Sequence, residues 1–220
     1  HAFAPAVLWM SVAAILYGGY MALAQVDLKR LVAYSSVSHM GFVTLGIFSF
    51  NNEGVEGAIL QMVTHGLTTG AMFLIVGQLY DRTKSRSIAD YGGLQQRMPR
   101  FVAILSLFAV ASFGLPTTSN FIGEFLILVG VSYENFVFVV LAMGGIVLGA
   151  AYMLWMLQRV AFGEARSEAA KKMTDLNTRE MWTIMPLAIA VVAIGVYPGP
   201  LLEAMDSSVT FVVERLAMGL

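Results

Sequence analysis

Six apolar runs, each about as long as a bilayer is thick, constrain this chain more than any other feature. They fall at about 5–24, 32–50, 57–79, 101–131, 136–158 and 181–197, and a spanning helix needs about 20 mostly apolar residues. The last is short, and Pro198 and Pro200 stop it. Of 220 residues, 58% are hydrophobic and 12% charged, about half the charged share of a soluble domain. The fold class is therefore an all-α polytopic membrane protein of about six transmembrane helices, with amphipathic helices on its surfaces. A soluble cytosolic enzyme and a disordered tail are excluded. A net charge of −1 argues against nucleic acid, whose phosphates need a surplus of Lys and Arg. There is no Cys, which removes disulfides, a thiolate nucleophile, Cys-ligated zinc and ordinary iron–sulfur clusters. Because it opens on His1 rather than Met, with no signal peptide before the first run, the chain is expected to belong to a longer one.

The run at 101–131 would make a straight helix of about 46 Å, too long for a hydrocarbon core of about 30 Å. Near its middle stand Gly114, Leu115, Pro116, Thr117, Thr118, Ser119 and Asn120. Pro116 lacks a backbone donor and clashes with the preceding turn, so the helix is expected to break there. The connections give a separate check. The loops 25–31, 81–100 and 159–180 fall on one side and hold 12 of the 13 Lys and Arg residues, leaving only Arg215 for the other. The positive-inside rule then places those loops in the cytoplasm or matrix. Their basic residues are expected to be topology signals and lipid-facing anchors. Segments 81–98 and 163–180 should be loops or surface helices, and 201–220 a short amphipathic helix on the outer side, docking a neighbour.

Of the 14 acidic residues, only Glu124 lies within an apolar run, as do two of the three His, His39 and His65. An ionisable group inside a membrane segment costs about 2.5–3.5 kcal/mol on insertion scales, which makes function the first hypothesis. Helix rise puts His39 about 10 Å from the inner side and His65 about 21 Å, with Glu124 at about 19–20 Å. His65 and Glu124 thus share a mid-membrane level, with His39 nearer the inside. Both residue types take up and release protons. Ser35, Ser36, Ser38, Thr64, Thr68, Thr69, Thr117, Thr118, Ser119 and Asn120 could order water between them. This suits a proton relay better than a metal site, which wants more ligands close together.

Each feature has a plainer alternative. His39 could simply bond a neighbouring helix, and Glu124 could cap backbone donors freed by the break. Asp27-Leu28-Lys29-Arg30 reads as interfacial anchoring. Gly66/Gly70 and Gly145/Gly149 have the spacing of close helix packing.

The stretch Asp27–Gly41 (DLKRLVAYSSVSHMG), with Thr64-His65-Gly66-Leu67 and Gly114-Leu115-Pro116 through Asn120-Phe121-Ile122-Gly123-Glu124-Phe125, strongly resembles the antiporter-like subunits of respiratory complex I. The resemblance runs along essentially the whole chain. The L and N types and the cation/proton antiporter subunits usually carry Lys where this chain has Glu124. The M type, called subunit 4 in mitochondria, carries Glu, and Asp175-Leu176-Asn177 with Arg179-Glu180 also resembles it. Thr117 stands where the family often has Gly, which is expected to alter the break only slightly.

The resemblance implies fourteen helices in two inverted five-helix repeats, each with one broken helix. Residues 1–162 would be the second repeat. Residues 163–220 would supply an inner-surface linker, the last transmembrane helix and the C-terminal amphipathic helix. The function implied is proton translocation in NADH:quinone oxidoreductase. Glu124, His65 and His39 would form the relay, Gly114 and Pro116 the helix break, and the key Lys residues and first-repeat Glu would lie upstream of His1. No cofactor would sit in this chain, since NADH, FMN, iron–sulfur clusters and quinone belong to other subunits. The partners implied are L-type and N-type antiporter-like neighbours, the lipid bilayer and protons, without nucleic acid. The location is the bacterial cell inner membrane, with the mitochondrial inner membrane as alternative. Two rival functions remain at this point: a subunit of a multisubunit Na⁺/H⁺ antiporter, and a purely structural membrane spacer.

Overall fold

The computed structural model describes residues 3–217, and everything regular among them is helical. The helices are α1 (Ala4–Leu23), α2 (Leu28–Ile47), α3 (Asn52–Thr83), α4 (Leu94–Arg97), α5 (Pro99–Ser112), α6 (Ser119–Glu134), α7 (Phe136–Ala161), α8 (Glu168–Lys171), α9 (Thr178–Val196) and α10 (Gly199–Ala217), with a 3₁₀ turn at Ile88–Asp90. Among the described residues, α1, α3, α7 and α9 are each long and apolar enough to cross a membrane unaided. The α2 helix has the length, but Lys29, Arg30, three serines and His39 dilute its apolar character. The run at 101–131 is divided as expected, since α5 stops at Ser112 and α6 starts at Ser119.

Hydropathy underestimates α3. The apolar part at 57–79 lies inside a 32-residue helix, about 48 Å long. Lipid selects only the middle of such a helix, while backbone bonding carries it on into polar residues. The Asn51 side chain accepts from Gly54 N at 2.9 Å to start it, and Lys84 ends it in the left-handed conformation at φ 57°.

The two ends of the bundle sort the loops as the charge split requires. At the basic end, Leu28 N donates to Arg86 O and Ile88 N to Val26 O, both at 2.9 Å, and Gly93 N donates to Phe162 O at 3.0 Å. Loops 25–31, 81–100 and 159–180 thus knit together. At the other end Asn51 Nδ2 donates to Gly130 O at 2.8 Å, and Asn52 Nδ2 donates to Thr210 Oγ1 at 3.1 Å. The C-terminal amphipathic helix therefore docks on α3 of its own chain, with Val209 buried. Met218, Gly219 and Leu220, the end of that expected helix, lie outside the described residues.

The basic loops do more than anchor. Ile88, Tyr91, Leu94 and Met98 are buried in the main core. Arg82 makes a two-pronged pair with Glu180, with Nη1–Oε1 and Nη2–Oε2 each 2.7 Å, and its Nε donates to Thr174 O at 3.1 Å. Asp175 caps α5 by accepting from Arg100 N at 3.0 Å and Phe101 N at 3.1 Å. Asn177 and Glu180 form a capping box for α9. Asp27 caps α2 by accepting from Arg30 N at 3.0 Å, a structural task beyond the anchoring expected of that motif.

Small residues set the closest helix contacts, though only in part where the spacing suggests. A Cβ at Gly145 would collide with Ile15, which bears out tight packing there. A Cβ at Gly66 or Gly70 would meet nothing within 4 Å, so that pair sets no close helix contact among the described residues. The α3–α6 crossing rests on other glycines. A Cβ at Gly57 would come 2.7 Å from Ile127 N, and one at Gly130 would strike the backbone of Gly54. A spacing of four marks a narrow stripe on a helix but not the direction it faces.

Candidate functional site

Four helices deliver polar side chains to one buried point. From α2 comes His39, on the inward stripe that also holds Ser35, Ser38 and Phe42. From α3 come Gln61, His65 and Thr68, one helical turn apart on one face. Asn120 and Glu124 come from the first turns of α6, and Tyr152 from α7. His39, His65 and Glu124 are 4%, 6% and 3% exposed, and Gln61, Thr68 and Asn120 are fully enclosed.

His39 Nδ1 lies 2.9 Å from Glu124 Oε1. The same oxygen accepts from Gln61 Nε2 at 3.1 Å. The other ring nitrogen of His39, Nε2, is 3.3 Å from Tyr152 Oη. The His65 ring stands beside that of His39, with centroids 5.1 Å apart, and both its nitrogens are 3.2 Å from Thr69 Oγ1. The order of contact is therefore His65, His39, Glu124.

This order differs from the one inferred from depth, which put His39 well inside of Glu124. The α2 helix begins at Leu28 rather than 32, which adds about 6 Å of rise beneath His39 and brings it toward mid-membrane. Glu124 uses Oε1 on two side chains, so the described hydrogen bonds give it no role as a backbone cap.

The break makes room for the carboxylate. Gly114 turns the chain at φ 73°, and a Cβ there would come 2.8 Å from Glu124 Oε2. Thr117 occupies φ 83°, a left-handed conformation that a β-branched residue adopts only under strain. The α9 helix lies against this segment, since a Cβ at Gly195 would collide with the backbone of Thr117 and Thr118. Pro116 falls between the two helices, where its missing donor costs nothing.

Thr68 Oγ1 donates to Asn120 Oδ1 at 3.2 Å, continuing the polar line past Gln61. Gln61 Oε1, Asn120 Nδ2 and Ser119 Oγ are buried without a protein partner among the described residues. Most of the remaining hydroxyls that might have ordered water serve the backbone. Ser35 and Ser36 donate to Val32 O, Ser38 to Ile15 O and Thr118 to Leu115 O. Among the described residues no three His, Cys, Asp or Glu side chains converge as metal ligands would.

Gln61 and Tyr152 escaped sequence reasoning for different reasons. A neutral amide and a phenol do not register as charges, and Tyr counts as apolar in any composition. Gln61 could have been found, because it sits four residues before His65 and so on the same face.

Comparison with known proteins follows the same line. A family model described as NADH:quinone oxidoreductase/Mrp antiporter, TM, matches residues 1–149. The chain is 48% identical over 213 residues to NADH-ubiquinone oxidoreductase chain 4 of Marchantia polymorpha, covering 97% of this chain and 43% of that protein. It is 47% identical over 206 residues to NADH-quinone oxidoreductase subunit M of Rhodobacter capsulatus, covering 94% of this chain and 40% of that one. A chain of the solved respiratory complex I from Thermus thermophilus with bound NADH superposes with a TM-score of 0.84 at 34% identity, covering 94% of this chain and 45% of the other. The chain thus spans less than half the length of these relatives.

Proposed function

The chain belongs to the NADH:quinone oxidoreductase/Mrp antiporter family of membrane proteins, and from that membership we propose that it is part of a proton-translocating M-type subunit of NADH:quinone oxidoreductase. The observation that carries the reading is the buried contact of 2.9 Å between His39 Nδ1 and Glu124 Oε1 beside a helix break. Such a pair holds one proton in either of two ways, as neutral imidazole with carboxylic acid or as imidazolium with carboxylate. In a buried setting desolvation disfavours the separated charges, while the attraction within the ion pair favours them. A charge moved nearby can therefore tip the pair. Gln61 Nε2 holds the carboxylate form of Glu124, and in both arrangements Nε2 of His39 keeps its hydrogen and donates to Tyr152 Oη. His65 extends the line toward Thr69. The unpartnered atoms of Gln61, Asn120 and Ser119 offer bonding positions for water.

In this reading residues 1–162 form one five-helix repeat, and residues 163–220 add the basic linker, α9 and α10. The redox chemistry and its cofactors belong to other subunits, and the neighbours are L-type and N-type antiporter-like subunits. The basic loops face the cytoplasm of a bacterial cell across its inner membrane, or the matrix if the source is mitochondrial. The antiporter alternative is disfavoured by the 48% and 47% identities to chain 4 and subunit M.

The test compares Glu124→Gln and Glu124→Asp in membranes holding equal amounts of assembled protein. The Gln variant keeps the shape but cannot ionise, and should lose nearly all proton pumping and coupled quinone reduction. The Asp variant should keep part of both, while NADH oxidation by an artificial acceptor stays normal in each. Wild-type pumping by the Gln variant would overturn the relay.

A further inference from the structure

Glu124 meets both His39 and Gln61 through one oxygen, Oε1. The other, Oε2, makes no hydrogen bond among the described residues. It turns toward the helix break, 2.8 Å from where a Cβ on Gly114 would stand. Asn120 precedes Glu124 by four residues, on the same face of α6 and about 6 Å nearer its start. Because α6 runs from the break to the end where Asn51 meets Gly130, Asn120 stands on the basic side of the carboxylate.

Two amides here are oriented by the bonds they make. Asn120 Oδ1 accepts from Thr68 Oγ1 at 3.2 Å, which turns Nδ2 away from Thr68. Gln61 Nε2 donates to Glu124 at 3.1 Å, which turns Oε1 away, to within 2.6 Å of where a Cβ on Gly123 would stand. Asn120 Nδ2, Gln61 Oε1 and Ser119 Oγ are therefore enclosed and unpartnered among the described residues, and α6 starts without a side-chain cap. The chemistry of these atoms is mixed. A cation would meet the Nδ2 donors, and an anion would meet Gln61 Oε1 and the Glu124 carboxylate. Water both donates and accepts, and buried unpaired groups are where ordered water sits. On the outward side of Glu124 the α3–α6 seam has no room for it. A Cβ at Gly57 would come 2.7 Å from Ile127 N, and one at Gly130 2.4 Å from Gly54 N.

We propose that Asn120 is a positioning residue of the relay, holding with Ser119 a water on the basic side of Glu124 through which protons reach Oε2. This inference rests on the relay reading above and adds its direction of supply. The step is a proton hop. A hydronium at this site gives one proton to the ionised carboxylate, which leaves one water and one neutral carboxylic acid. Thr68 acts at one remove, by fixing which way the Asn120 amide points.

The experiment uses the full-length protein in its membrane assembly, reconstituted in vesicles. It records infrared difference spectra with and without NADH-driven turnover, in ordinary and in heavy-oxygen water. Wild type should show a water O–H stretching band that moves in heavy-oxygen water, beside the Glu124 carboxyl band. Asn120→Leu, of similar size but without the amide, should lose the water band and keep the carboxyl band. It should pump roughly tenfold more slowly, with a rate that rises as the basic side is acidified. Thr68→Val, which frees the amide to turn, should weaken the same water band with a smaller loss of rate, and it decides the question by itself if the Leu variant does not assemble. A water band unchanged by these substitutions, with the carboxyl band present, would overturn the proposal and leave the relay standing. A wild-type spectrum without the carboxyl band would overturn both.

Discussion

Glu124 was conspicuous in the sequence because it is the one acid inside an apolar run, and His39 and His65 stood out for the same reason. Charge in lipid is costly, so it shows without any structure. What their partners would be was not visible. Gln61 binds the same carboxylate oxygen as His39, and Tyr152 faces the far nitrogen of His39 at 3.3 Å, yet neither carries a charge for composition to detect. The order of the line was also hidden, because depth along separate helices depends on where each begins. Tyr152→Phe tests the hidden part, since it removes the hydroxyl and keeps the ring. A hydrogen bond of this kind is worth about 1 kcal/mol, so proton pumping should slow by roughly fivefold and its pH–rate profile should move. An unchanged profile would show that the phenol only fills space.

Among the elements, the break between α5 and α6 was legible from the excess length of an apolar run of 31 residues together with Gly114 and Pro116 near its middle. Its conformation was not. Thr117 was expected to matter little in place of a glycine, but it takes φ 83°, where a β-branched side chain is strained by about 1–3 kcal/mol. Thr117→Gly should therefore stabilise the detergent-extracted protein by about 1 kcal/mol, read as a higher unfolding temperature. No change would mean that neighbours such as α9 fully compensate the strain. The tie between α3 and α9 gives a second prediction at this scale. The Arg82 guanidinium, bonded twice to Glu180, holds the Glu180 carboxyl below the usual carboxylate range despite some opposing burial. A carboxyl whose folded pKa is depressed adds stability above its unfolded pKa of about 4.3 and loses it as pH falls through the lower folded value. Wild type should thus be more heat-stable than Arg82→Gln near neutral pH. The two curves should converge as the buffer is acidified below about pH 4. A gap that persists unchanged in acid would assign the contribution of Arg82 to packing alone.

Across the whole molecule, the distribution of Lys and Arg foretold which loops share an end, and backbone bonds between loops 25–31, 81–100 and 159–180 bear that out. Charge could sort loops because each helix must exit on the side opposite its entry. It could not foretell which small-residue stripes face this bundle's interior, and Gly66 and Gly70 are open to the described residues. The helices converge on one enclosed pair, and the account stands or falls on whether a proton moves there. The most direct measurement is the infrared difference spectrum of the reconstituted full-length protein in its assembly, recorded with and without NADH-driven turnover. The account predicts a protonated-carboxyl band that changes on turnover, shifts in D₂O and is missing in Glu124→Gln. An identical difference spectrum in wild type and Glu124→Gln would contradict it.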